Sequence, residues 1–166
     1  MAGLEEFAMY SLTSVPQTVQ QNRDKNHCWA AALFSWMLAT GRKGNSSTPI
    51  KTYKDLVNQY SDLEDGGISE KALKGAVSDD FNMGKSLGTW DLSETGIENI
   101  LRQKGYMLLV YKSGMQSSHT LVVYGVGNGK IKYMDPWYGE LRDCLLTDFN
   151  ANAKTPPMAK MMMWPE

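Results

Sequence analysis

The chain has 166 residues, with 17 Lys and Arg against 18 Asp and Glu, a formal net charge of −1, and 42% hydrophobic and 21% charged content. That length makes one ordinary globular domain with a real core, 1–166, and not two. The charge balance offers no general attraction for nucleic acid or a membrane surface, and the longest apolar run, about a dozen residues from Cys28, is too short to cross a bilayer.

Residues 1–25 read as an extended arm, rich in Gln and charge and without a sustained period, in which Val15-Pro16 begins a short edge segment. Met1–Leu12 carries acids where a signal peptide would carry bases, so the chain is expected to be soluble. The helical half, 26–105, opens with Asn26 as the expected cap of a helix that is apolar on all sides and stops at Gly41 and Gly44. Pro49 is placed to start a second helix through Lys51–Tyr60, and after Gly66-Gly67 the residue Ser69 should cap a third, Glu70–Val77. Asp79–Thr89 is expected to be irregular. Ser93 then begins a fourth helix with an Ile97, Ile100, Leu101 stripe, ended by Gly105.

From Tyr106 the pattern changes. Tyr106–Tyr111, His119–Val126, Lys130–Asp135 and Glu140–Leu146 are short, β-branched and aromatic-rich runs separated by turn residues, and Met158–Trp164 reads either as a last strand or, through its four methionines, as a plastic surface. Helices first and strands afterwards, with a β half over 106–166, predict an α+β domain.

A lone cysteine in an apolar helix is by default a core side chain. Cys28, however, opens its helix, where unpaired N–H groups and the helix dipole favour the nucleophilic thiolate. Such a thiolate needs an imidazole within reach, and the imidazole needs a third group to fix its tautomer. Only two histidines are available. His27 adjoins Cys28 and would point about 100° away around the helix axis, so His119, opening a strand after a Gly/Ser loop, is the better base.

Asp135 closes the next strand and is the candidate third member. Whether it can serve depends on the hairpin between them. A two-residue turn at Asn128-Gly129 alone would send His119 and Asp135 to opposite faces. A three-residue loop Gly127–Gly129, or a bulge of the same effect, puts them on one face, and this is the expected arrangement. The oxyanion needs a donor beside the Cys28 N–H, and Gln20, Gln21 or Asn22 can supply an amide. The two cysteines, Cys28 and Cys144, make no disulfide framework, and a bridge between them would occupy the nucleophile.

With these residues assembled, the chain resembles a papain-like cysteine protease. Gln20/Gln21 and Cys28-Trp29-Ala30 resemble the family's oxyanion glutamine and Cys-Trp nucleophile, and His119 through Asp135-Pro136-Trp137 resembles its histidine-to-Asn/Asp-x-Trp block. The likeness is to the compact bacterial branch: staphopain-like proteases, bacteriocin-leader-processing peptidases and papain-type effectors. It implies a papain-like fold, with a helical half and a central catalytic helix packed on a C-terminal antiparallel sheet. It also implies a Cys28-His119-Asp135 triad acting through a thioester.

The Val-Pro context favours Gln20 as oxyanion donor, with Gln21 in reserve. Trp137 would shield the His-Asp pair, while Gly66, Gly67 and Trp29 would bind substrate. Gly66-Gly67 reads equally as a plain turn. The implied protein is a secreted or delivered bacterial effector or toxin domain without cofactor or metal, whose partners are a protein or peptide substrate and an immunity or inhibitor protein. A glutamine deamidase or transglutaminase would share the thioester, and an inactive papain-fold binding module would share the fold. A zinc site on Cys28, His119, Asp135 and His27 is disfavoured by the lack of a Cys-x-x-Cys pair.

Overall fold

The computed structural model describes residues 9–23, 25–61, 73–88, 90–111, 118–152 and 160–166. In chain order these form β1 (Tyr10–Ser11), α1 (Cys28–Thr40), α2 (Tyr53–Gln59), a π-helical stretch Leu73–Val77 running into the single turn α3 (Ser78–Asp80), and β2 (Met83–Gly88). There follow α4 (Glu94–Gln103), β3 (Met107–Tyr111), β4 (His119–Gly127), β5 (Lys130–Asp135), β6 (Glu140–Leu145), α5 (Leu146–Asn152) and β7 (Lys160–Pro165). No helix among the described residues is long and apolar enough to cross a membrane.

One antiparallel sheet, ordered β2-β7-β3-β4-β5-β6, organises the fold, and β1 extends it by pairing with the far part of β4. The central strands are buried on both faces, which is why Met107–Tyr111 reads as a continuous apolar run. Leu108 and Val110 of β3, Val122 of β4 and Met134 of β5 face α1, meeting Trp29, Ala30 and Leu33. Their sequence neighbours Leu109, Leu121 and Val123 face the other way, onto Ile97 and Leu101 of α4 and Phe149 of α5. Helices therefore cover both faces of the sheet, so the expected two halves are interleaved into three layers.

Local chemistry accounts for most element ends. Gly41, at φ 71°, closes α1 in the left-handed conformation, its N–H donating to the Met37 carbonyl at 2.8 Å. The Ser93 hydroxyl accepts from the Gly96 N–H at 3.0 Å to start α4. Several expectations are corrected. The N-cap of α1 is His27, not Asn26. The second helix begins at Tyr53 and not Lys51, because the Asp55 carboxylate accepts the backbone N–H groups of Lys51 and Thr52 and caps the helix there.

The stretch expected to be irregular contains β2, a sheet-edge strand of Gly, Lys and Ser whose weak propensity is overridden by a full six-residue register with β7. After β6 the chain enters α5, a short helix with two buried residues, Leu146 and Phe149, and so little periodic signal. Gly66, Gly67 and Ser69 lie outside the described residues.

The hairpin joining β4 and β5 resolves the register question. Its turn has two residues, Asn128 and Gly129, both at positive φ (52° and 75°) as a type I′ turn requires, and not the three-residue loop. Gly127, Val126 and Gly125 pair with Lys130, Ile131 and Lys132, but Val123 pairs with Tyr133 and Val122 with Met134. The bulge lies at Tyr124. One extra residue there reverses the parity of β4, so that Val126 and Val123 face the same cluster although three positions apart. The carbonyl of Tyr124 accepts the N–H of Leu12 at 3.0 Å, which ties the N-terminal arm to the bulge.

Candidate active site

The bulge brings the parity of His119 into line with that of Asp135, and the two side chains meet: His119 Nε2 lies 2.8 Å from Asp135 Oδ1. The same carboxylate oxygen accepts the Trp137 N–H at 2.9 Å, so the turn after β5 holds the acid while the acid holds the ring. With Nε2 engaged by Asp135, Nδ1 is the ring nitrogen left for the thiol, whose charge acts on the imidazole. The Cys28 Sγ also lies 3.6 Å from the Ser118 carbonyl, the residue before His119. A sulfur at the head of α1, an imidazole from β4 and a carboxylate from β5 are thus gathered as the parts of one relay. Both cysteines are free thiols.

The electrostatics follow from this chain of contacts. Burial alone would lower the His119 pKa, but the Asp135 hydrogen bond, the nearby Cys28 thiol and the charges of both overcome it and raise the ring to about 9. Burial would likewise raise the Asp135 carboxyl, yet the His119 hydrogen bond and charge, the Trp137 N–H and Arg142 hold it below the ordinary carboxylate value. The arrangement favours an imidazolium-carboxylate pair at neutral pH. Such a ring is held in one orientation by Asp135 and has a proton to give.

Two further segments frame the relay. Tyr111, paired with His119 across the strands, presents a ring edge to the imidazole (centroids 5.9 Å apart, 82° between planes) and rests in turn on Phe149. No residue pattern singled Tyr111 out; only the register of β3 against β4 reveals it. The arm crosses α1, where the Ser35 hydroxyl donates to the Gln17 carbonyl at 2.7 Å, and then docks on the turn after Asp135, where the Gln21 N–H donates to the Pro136 carbonyl at 2.8 Å.

The two candidate glutamines are placed differently. Gln20 is exposed, its backbone and Cβ packed so closely on Gly139 that a side chain there would collide at 2.6 Å. Gln21 is buried, and its Nε2 donates at 3.3 Å to the Lys25 carbonyl, which also accepts the His27 N–H next to Cys28.

Trp29, expected at the substrate groove, is instead a core residue, 2% exposed with its ring edge on Tyr60, because the first turn of α1 points it into the α1-facing cluster. The Trp137 indole, expected over the His-Asp pair, is 39% exposed and stacked by Arg23. What Trp137 supplies to Asp135 is its backbone N–H. Among the described residues no group of three or more His, Cys, Asp or Glu side chains is arranged to hold a metal ion.

The chain is similar in structure to the peptidase domain of Streptococcus ComA, a bi-functional ABC transporter involved in a quorum-sensing pathway. The TM-score is 0.64 at 14% identity, over 92% of this chain and all of that one. At that identity the likeness establishes the fold, an α+β papain-like one. Comparison with curated proteins returns no match. Residues 9–154, which include all three members of the relay, match the family described as papain-like cysteine protease AvrRpt2. The match spans most of the chain, which accordingly belongs to that family of papain-like cysteine proteases.

Proposed function

We propose that Cys28, His119 and Asp135 are the catalytic triad of an endopeptidase. The observation that carries this reading is the single imidazole bonded to Asp135 at 2.8 Å, with the Cys28 thiol at the head of α1 lying 3.6 Å from the carbonyl of Ser118, the residue before His119. The Cys28 thiolate, paired with protonated His119, attacks the scissile carbonyl, and the charge that develops on oxygen is received by the Cys28 N–H and a glutamine amide. Burial and the tether to the loop before Cys28 favour Gln21 for that amide over Gln20. His119 then gives its proton to the leaving nitrogen, the C–N bond breaks and the acyl group remains on sulfur as a thioester. Neutral His119 next takes a proton from water, whose oxygen displaces the thiolate and releases the acid. Asp135 keeps the ring oriented and stabilises its charged form throughout.

The substrate is a protein or peptide laid across the head of α1. The two sequence blocks around Cys28 and His119, similar to papain-type effectors, support the role of a secreted or delivered bacterial effector or toxin domain, restrained in its source by an immunity or inhibitor protein.

The test compares wild type with Cys28→Ala in a recipient-cell lysate, reading new N-termini by mass spectrometry, with E-64 labelling of Cys28 in parallel. New termini confined to the wild type, with stoichiometric labelling, are expected. Full activity in Cys28→Ala refutes the triad. Ammonia release without new termini would redirect the same thioester chemistry to deamidation.

A further inference from the structure

The turn that follows Asp135 carries two exposed aromatic rings, Trp137 and Tyr138, at 39% and 43% exposure, and an arginine from the arm is fastened over both. Arg23 Nε donates to the Trp137 carbonyl at 2.9 Å, and its guanidinium carbon lies 5.4 Å from the Trp137 ring and 5.6 Å from the Tyr138 ring. Among the described residues Arg23 pairs with no carboxylate. Arg142, on the far side of Tyr138 at 4.1 Å, is by contrast 3.6 Å from Glu140. The side chain of Arg23 is thus held through Nε and its π contacts on a residue that is exposed as a whole. Its fork is already ordered, so a carboxylate binding there loses little rotamer freedom and meets a planar, bidentate donor.

The position matters because this turn is the one that holds Asp135: the Trp137 N–H bonds the carboxylate while the Trp137 carbonyl bonds Arg23. A substrate attacked by Cys28 must meet His119, and Arg23 is joined to His119 through a single residue, Trp137, and the Asp135 carboxylate. On the reading that Cys28 and His119 cleave peptides, we infer that Arg23, seated on Trp137 and Tyr138, is a specificity residue that selects a carboxylate on the substrate near the cleaved bond. The carboxylate is either an acidic side chain or a free C-terminus, since the fork recognises both alike.

The experiment uses the full chain and a library of matched peptides. Each position flanking the cleaved bond carries Glu, Gln or Lys with an amidated C-terminus, and a further set has Gln throughout and a free C-terminus. For wild type, kcat/KM for one acidic position should exceed that of its Gln twin by about tenfold at low ionic strength, the scale of a charge-assisted hydrogen bond. The ratio should shrink in about 0.5 M salt, which screens charges at a surface rim. Arg23→Gln should bring the ratio close to one, and Arg23→Glu should turn the preference towards Lys. A gain in the free-C-terminus set alone identifies the chain end as the ligand.

A wild-type ratio near one in both sets, or a ratio undiminished in Arg23→Gln, overturns the assignment while leaving the triad intact. Failure to cleave any peptide, together with an unlabelled Cys28, removes the triad and this inference with it.

Discussion

The His119-Asp135 contact carries a definite pH signature, and replacing Asp135 with Asn isolates it. In the folded chain His119 is raised to about 9, against about 6.5 for a free imidazole. A group whose folded pKa is raised contributes stability that is fully present below about pH 6.5 and is lost as pH climbs through about 9. The whole shift corresponds to at most about 3 kcal/mol at 1.36 kcal/mol per unit. Asp135 and Cys28 both raise the ring against the burial that lowers it, and loss of the Asp135 charge is expected to remove on the order of 1–2 kcal/mol. Asn keeps an oxygen for the ring and for the Trp137 N–H but removes the charge.

Urea unfolding followed by tryptophan fluorescence, from pH 6 to 9.5, should therefore show wild type more stable than Asp135→Asn at pH 6.5 by about 1–2 kcal/mol more than at pH 9.5. Other titrating groups are common to both proteins and cancel in the difference. The basic limb of kcat/KM should move down in the variant, because the imidazolium that protonates the leaving nitrogen is lost earlier. Stability curves that run parallel across this window, with an unmoved basic limb, would refute the account of the pair.

Four other outcomes are expected. His119→Ala should abolish turnover in a peptide-cleavage assay while circular dichroism stays native, because the ring is a partly exposed member of the site and not of the core. Deleting Tyr124 should abolish turnover and lower the melting temperature by well over 10 °C. Without the extra residue, either His119 or the Val126 end of β4 must turn to the wrong face. Tyr111→Ala should cost roughly 2–4 kcal/mol in chemical denaturation, by analogy with other aromatic truncations, and should lower kcat more than it raises KM, as the ring edge that braces His119 is removed. Ser35→Ala should cost about 1 kcal/mol by losing the bond to the Gln17 carbonyl, and limited proteolysis should find the arm cut faster.

The residues that were legible in the sequence are those whose position follows from a local rule. Gly41 had to follow the last turn of an apolar helix, Ser93 had to start an amphipathic one, and Asn128-Gly129 had to be a turn. The pairing of His119 with Asp135 was legible only as a condition, that something shift the register by one. Nothing in the residues Tyr124-Gly125 says that the shift is a bulge on β4 and not a longer loop. That choice is made by β1 and the residue after it: the Leu12 N–H satisfies the bulged carbonyl, and the Ser11 hydroxyl and Tyr10 carbonyl sit where a Cβ on residue 125 would be. These contacts join residues more than a hundred positions apart. For the same reason β2 and Tyr111 escaped notice: one is defined by its partner β7, the other by the strand opposite it. Trp29 was misplaced because an all-apolar helix has no face that pattern alone can orient.

That absence of a face has a consequence for catalysis. Periodicity does not aim α1, so the sheet must, and it does so through size. Ala30, Ala31 and Ala32 are all fully buried behind Cys28, and Ala30 and Ala32 belong to the same cluster as Leu108, Val110, Val122 and Met134. Small side chains on several sides of the first turns let α1 lie close to its neighbours, β3 and β4 among them, and the Cys28 sulfur lies 3.6 Å from the Ser118 carbonyl, beside His119. A larger residue in this run would be accommodated by moving the helix, since a close-packed core has little free space. A nucleophile displaced by about 1 Å forfeits on the order of a hundredfold in rate. The alanines, which touch no substrate and carry no chemistry, therefore set the distance on which the thiol's reactivity rests.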